Sequence, residues 1–363
     1  MSTSTPEQNP VRSMNDRVGS WTRDVIDRAS ANRGTGRMIG ALVIAFAIFA
    51  FLNPRVFLNP INLQNIMVAA PEIGVIAIAM MLAMLTGGID LSLVAIANLS
   101  AITISTLFTA VAAQDPQLAE ALGVPLVLVG VLVGVLCGLL NAVLITVVGI
   151  TPILATLGTM QILNGIAIVW TGGSTLYGAP SAFTDFGRVA LGPVPALFLV
   201  FVLIAVLIAV IVNRTPLGRK IQLEGANPVA AKYSGIRSRR VLMSTYILGG
   251  ALAGLAGVLF LSRNPTASAD YGASYVLLVI VIAVLGGTNP TGGFASVAGV
   301  VLATLTLQIV SSGFTALRLS SYEYAIAQGI ILIVVMIVDQ FSWRRRRRGA
   351  RVPDPAAEHA PAP

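Results

Sequence analysis

Residues Asn213 to Arg240 read NRTPLGRKIQLEGANPVAAKYSGIRSRR, the one long polar stretch between the first and last apolar runs of the chain. Seven residues here are basic (Arg214, Arg219, Lys220, Lys232, Arg237, Arg239, Arg240) against one acid, Glu224. The middle carries the marks of a short helix. Asn227 suits the N-cap, because its side-chain oxygen accepts from free amides of the first turn. Pro228 follows at N1, where a missing N–H costs nothing. Val229 to Ser234 form the body, and Gly235 supplies a left-handed stop. A capped helix of about two turns is marginal alone, so it needs a surface to dock against.

Around this stretch the chain is apolar. Of 363 residues, 56% are hydrophobic and 10% charged, where soluble domains carry about 25% charged residues. The expected fold is therefore an all-α polytopic membrane protein. A spanning helix needs about 20 apolar residues, and ten candidates can be written: 38–55, 64–85, 91–113, 124–148, 152–171, 196–212, 241–262, 272–288, 294–313 and 322–340. The first is short before Asn53-Pro54 and must borrow Val56 to Leu58, tilt, or thin the bilayer. Gly-rich turns, rather than loops, separate 64–85 from 91–113 and 272–288 from 294–313. The two turns echo each other, which suggests an internal repeat.

Charge sets the orientation. Nineteen of the 23 basic residues fall in the arm 1–37, the loop 213–240 and the tail 341–363; only Arg55, Arg188, Arg263 and Arg318 lie elsewhere. By the positive-inside rule both termini and the long loop face the cytoplasm, with the membrane permease domain spanning 38–340. The arm includes a candidate amphipathic surface helix. The run Arg344 to Arg348 directly follows an apolar span, so it reads as an anchor to anionic lipid and not as a nucleic-acid site. The arm, a largely polar stretch of 37 residues ahead of the first apolar run, leaves no expected cleavable signal peptide.

Inventory limits chemistry. The sole histidine, His359, sits in the Pro/Ala-rich tail, and the sole cysteine, Cys137, in an apolar run. No metal site and no catalytic set can be assembled from them. The two lysines, Lys220 and Lys232, do not follow a glycine, so no phosphate loop can be written. The chain is expected not to be an enzyme and to hold no cofactor; if ATP drives it, a partner binds the ATP and Mg.

Acids within apolar spans are costly. Two qualify. Glu72 follows Pro71, which can kink the helix and open a polar pocket; it reads as a pathway or gate residue, or as an interfacial acid reaching water. Asp90 reads as a helix cap or a gating group. Thr156, Thr159, Gln161 and Asn164 on the fifth span, with Asn98, offer uncharged hydrogen bonds that suit a neutral polyol, or equally helix–helix bonding. Gly158 and Gly165 allow close helix approach, and the Gly/Ala-rich run from Gly249 to Gly257 reads as packing surface.

Three stretches together resemble a known family: TPLGRKIQLEGANPVAAKYSGI, Leu85-Thr86-Gly87-Gly88-Ile89-Asp90-Leu91-Ser92 and Leu285-Gly286-Gly287-Thr288-Asn289-Pro290-Thr291-Gly292-Gly293. They look like the permease subunits of ribose-type ABC sugar importers (ribose, xylose, arabinose, galactose) over roughly residues 40–340. The match departs from the family's GGIDLSVG run at Leu93 and Val94. The resemblance implies a type II importer-like fold, a second permease chain (identical or sibling), separate ABC ATPase subunits, and a periplasmic binding protein that delivers a monosaccharide. It also implies ATPase-coupling at Gly218, Arg219, Glu224, Gly225, Asn227, Pro228, Ala230, Ala231, Ser234 and Gly235. Gate turns would fall at Gly87, Gly88, Asp90, Gly286, Gly287 and Asn289. The competing reading is an ion-coupled secondary transporter using Glu72 or Asp90.

Overall fold

The computed structural model describes residues 35–320, 322–330 and 333. The expected amphipathic arm helix and the basic tail lie outside these residues, as do 331, 332 and 334–340 of the candidate span 322–340, whose described residues are helical.

Most of the described chain is helical. Long helices are α1 (Thr35–Leu52), α3 (Pro60–Leu85), α4 (Leu93–Ala112), α6 (Gly123–Val143, continued by a π-turn Leu144–Val148), α7 (Pro152–Thr171), α9 (Ala196–Arg214), α12 (Ser238–Arg263) and α14 (Val297–Ala316). All eight are long and apolar enough to cross a bilayer. Shorter pieces are α2 (Pro54–Phe57), α5 (Pro116–Ala121), α8 (Ser181–Arg188), α10 (Pro216–Ala226), α11 (Pro228–Tyr233) and α13 (Tyr275–Leu285). Four two-residue strands pair as β1 (Leu176–Tyr177) with β4 (Thr266–Ala267), and β2 (Ala190–Leu191) with β3 (Val194–Pro195).

Two expected spans differ. The first helix ends at Leu52 and gains length at its start, from Thr35. It borrows nothing from Val56 to Leu58, because Asn53 caps the separate helix α2 by accepting the Val56 amide. The expected span 272–288 is helical only over 11 residues, about 16 Å at 1.5 Å per residue, roughly half a bilayer core.

Helix α3 is the axis. It is apolar on every side, as a helix enclosed by others must be, and every residue from Ala69 to Leu85 is buried. Helices α9, α12, α13 and α14 surround it. It runs unbroken through Pro71. Gly74 leaves room for the Phe201 ring, which would lie 2.5 Å from a Cβ there.

Helices α6 and α12 pack backbone to backbone. A Cβ on Gly134 would lie 2.2 Å from the Gly250 carbonyl oxygen, one on Gly250 2.3 Å from that of Gly134, and one on Gly254 2.4 Å from that of Gly130. Small residues at four-residue spacing are what such an approach needs. Ser100 of α4 seals the contact by donating to the carbonyls of Gly130 (3.1 Å) and Gly254 (2.9 Å).

Candidate functional site: a three-way junction and its lever

Helix α9 ends at Arg214, and the chain turns back at once. Thr215 accepts the Gly218 amide at 3.2 Å, and Pro216 takes N1, the same start signal as Asn227-Pro228. Sequence reading missed α10, although the Thr-Pro pair announces it. Gly218 faces the carbonyls of Ile211 and Val212 too closely for any Cβ. Gln222 secures the fold-back by donating to the Val212 carbonyl at 3.0 Å.

The end of α10 lands on both glycine turns. A Cβ on Gly225 would lie 1.9 Å from the Leu85 carbonyl oxygen and 2.7 Å from the Gly293 nitrogen. Gly293 donates its amide to that Leu85 carbonyl at 3.0 Å. A Cβ on Gly292 would meet the Gly225 carbonyl oxygen at 2.6 Å and the Gly87 nitrogen at 2.8 Å. Three stretches far apart in sequence thus touch through backbone alone.

The two turns are built alike. Helix α3 closes with the Gly87 amide on Met84 O and the Gly88 amide on Ala83 O; α13 closes with the Gly287 amide on Val284 O and the Thr288 amide on Ala283 O. Both are Schellman-type stops, with φ of 81° at Gly87 and 90° at Gly287. Gly286 packs on α14, where a Cβ would lie 2.6 Å from the Val300 nitrogen. Asn289 ties its own turn, accepting from the Thr291 amide and hydroxyl and donating to the Gly292 carbonyl.

Helix α11, the candidate lever, follows the junction. Asn227 accepts the Ala230 amide at 3.0 Å, and Gly235 takes φ +77°. Ser234 donates to the Ala230 carbonyl. Ala231 faces inward at 4% exposure, whereas Val229 (65%) and Tyr233 (89%) point out. Those two exposed apolar side chains, which sequence reading did not single out, form the lever's free face; a one-turn helical period would have found them. Glu224, expected among the coupling residues, is buried. It accepts the Ser238 hydroxyl at 2.9 Å and so ties α10 to the first residue of α12. Arg219 is exposed.

Asp90 sits in the turn after α3, fully enclosed. It does not cap α4 through first-turn amides. Its carboxylate instead accepts the amide (3.0 Å) and hydroxyl (2.6 Å) of Ser92, the residue preceding α4. Asn141 of α6 donates to the Ser92 hydroxyl at 2.7 Å, and Thr159 of α7 donates to Asn141 at 2.7 Å. Thr156 accepts the Leu91 amide and donates to the Ile89 carbonyl. Burial pushes the Asp90 carboxyl up to about 6, against the opposing pull of the Ser92 bonds. Thr156 and Thr159 are therefore helix–turn fasteners. Gln161 is exposed and Asn164 half-buried on the other side of α7. A Cβ on Gly158 or Gly165 would meet nothing within 4 Å, so no helix among the described residues packs there.

Glu72 does not reach water as an interfacial acid would. It is 1% exposed and paired with Arg263 at the end of α12. Asn98 donates to the carbonyls of Ala269 and Tyr271, each at 2.9 Å.

A bundle with eight bilayer-length apolar helices among the described residues defines a polytopic membrane protein. The chain belongs to the family described as branched-chain amino acid transport system / permease component, whose model matches residues 62–337. It is a multi-pass permease component of the bacterial cytoplasmic membrane. The ribose import permease protein RbsC of Bacillus subtilis is 36% identical over 307 residues, covering 84% of this chain and 92% of that protein. The autoinducer 2 import system permease protein LsrD of Salmonella typhimurium is 31% identical, covering 85% and 95%. The D-allose transport system permease protein AlsC of Escherichia coli is 31% identical, covering 82% and 89%. No solved structure matches the chain.

Proposed function

We propose that this chain is the permease subunit of an ABC importer that admits a monosaccharide delivered by a periplasmic binding protein. Its motion is imposed by a separate ATPase that carries the ATP and Mg. The family's description names branched-chain amino acids, but the relatives cited above carry the names of ribose, allose and autoinducer 2 systems. A sugar or sugar-like polyol is the substrate class they favour.

The observation that carries the reading is the junction of Gly225 with Leu85 and Gly293. A push on the exposed face of α11 passes through α10 onto the end of α3, the helix around which the bundle packs. In this reading the basic loop 213–240 and both termini face the cytoplasm and the spans number ten, the half-length α13 and the helix at 322–330 counted among them. Two permease chains, identical or sibling, enclose the pathway. Asn98, Gln161 and Asn164 remain the candidate sugar contacts.

The test is reconstitution. Proteoliposomes holding this chain, its ATPase and its binding protein should accumulate labelled D-ribose or D-allose only with internal ATP. Accumulation by this chain alone under a pH gradient would replace the reading with ion-coupled transport.

A further inference from the structure

The end of the bundle opposite the lever carries a cluster that the importer reading leaves unused. Glu72, midway along α3, meets Arg263 at the last residue of α12; this is the one ion pair among the described residues. Tyr271 donates to Glu72 Oε2 at 3.2 Å and Tyr275, the first residue of α13, to Oε1 at 3.4 Å. The Tyr271 ring lies 4.7 Å from that of Phe260 and 6.3 Å from that of Tyr275. One carboxylate thus gathers α3, α12, α13 and the segment joining the last two. Asn98 of α4 holds that segment from its other side, by the Ala269 and Tyr271 carbonyls, while its own buried Oδ1 has no partner among the described residues. Apart from the two-residue strand β4, side chains rather than regular structure fasten the segment.

The same helix reaches both ends of the molecule. Ser238, the first residue of α12, bonds Glu224 of α10. Arg263, the last, bonds Glu72. The helix from one to the other has 26 residues, about 39 Å, and the glycine contact with α6 keeps the middle from bending on its own. A carboxylate inside a span is tolerated only while paired. Arg263, at 33% exposure, can turn toward water at small cost, whereas Glu72, at 1%, meets water only when the segment lifts.

We propose that Glu72, Arg263, Tyr271 and Tyr275 form a latch closing the outer end of the permease, and that α12 is the rod through which the cytoplasmic lever works it. The four are positioning residues. They hold the 264–274 segment shut until α12 moves, and opening exchanges the Glu72–Arg263 pair for water. The proposal rests on the importer reading, which supplies the force at α10.

The test uses the assembled transporter in right-side-out vesicles. Cys137→Ala removes the native thiol, and Ala269→Cys, at a buried position within the segment, reports opening to a membrane-impermeant maleimide. In this parent, ATP with binding protein present should speed labelling. Glu72→Gln and Arg263→Gln should each raise resting labelling about tenfold, with ATP adding little. The double variant should go no further than either single one, because both break one latch. Tyr271→Phe, which removes a single hydroxyl, should give a smaller rise and covers the case in which a Gln variant fails to assemble. Labelling of all variants at the parent rate, or additive effects of the two Gln variants, would overturn the latch. Failure of the parent to take up labelled D-ribose or D-allose with ATP would instead count against the importer reading.

Discussion

Asp90 shows how one side chain's chemistry is set by its enclosure. Its carboxyl is raised from 3.8 to about 6 by burial. Between those values the folded protein holds a proton that the unfolded chain has released. Stability is therefore greatest below the lower value and falls as pH rises through the upper one, by about 3 kcal/mol at most. Asp90→Asn keeps an acceptor for the Ser92 amide and hydroxyl and removes the titration. Thermal unfolding of the detergent-solubilised protein should lose stability from pH 4 to pH 6 in the parent and stay level in the variant; parallel curves would refute this. Gly225 is the opposite case, a residue defined by having no side chain. Gly225→Val drives methyl groups into the Leu85 carbonyl, an overpacking that costs about 1–3 kcal/mol. Uptake should collapse while the chain still inserts, and normal uptake would show that the junction yields freely.

At the scale of the element, α11 packs by one face, at Ala231, and leaves Val229 and Tyr233 exposed on the other, the face proposed to dock the ATPase. Tyr233→Ala removes an exposed ring and touches no packing, so it should leave melting unchanged and weaken retention of the ATPase on purification by about tenfold or more, as loss of an interface aromatic does. Gly235→Pro acts within the fold. It demands φ near −65° where the chain has +77° and removes the amide that donates to Lys232. Frayed lever and lost uptake should follow, with insertion intact. Equal ATPase retention by Tyr233→Ala and parent would move the docking face elsewhere. The caps of α11 were plain in the sequence because Asn227, Pro228 and Gly235 act on their immediate neighbours. Helix α10 was equally legible through Thr215-Pro216, and Asp115 at the start of α5 repeats the device by accepting the Gln117 and Leu118 amides. Polar residues on apolar helices were not legible in this way. Thr156 and Thr159 share a face of α7, yet nothing local tells whether a ligand or Asn141 lies opposite.

For the whole molecule, the proposed orientation rests on charge. Arg55, Arg188, Arg263 and Arg318 lie at helix ends or turns away from the lever, while Arg214 to Arg240 surround it. A cysteine at Tyr233, in the Cys137→Ala background, should react with impermeant maleimide in inside-out vesicles and not in right-side-out ones; the reverse pattern would invert the topology. Composition, spans, charge bias and the two short-range helix caps could be read from the chain alone, because hydrophobicity, capping and the positive-inside bias act through a residue's own chemistry and near neighbours. The tertiary structure alone decided that both glycine turns meet Gly225, that Glu224 and Glu72 bind the two ends of α12, and that Gln161 faces outward while Thr159 does not. Those facts depend on which helices lie side by side, and backbone contacts between glycines leave no side-chain pattern by which a sequence could announce its partners.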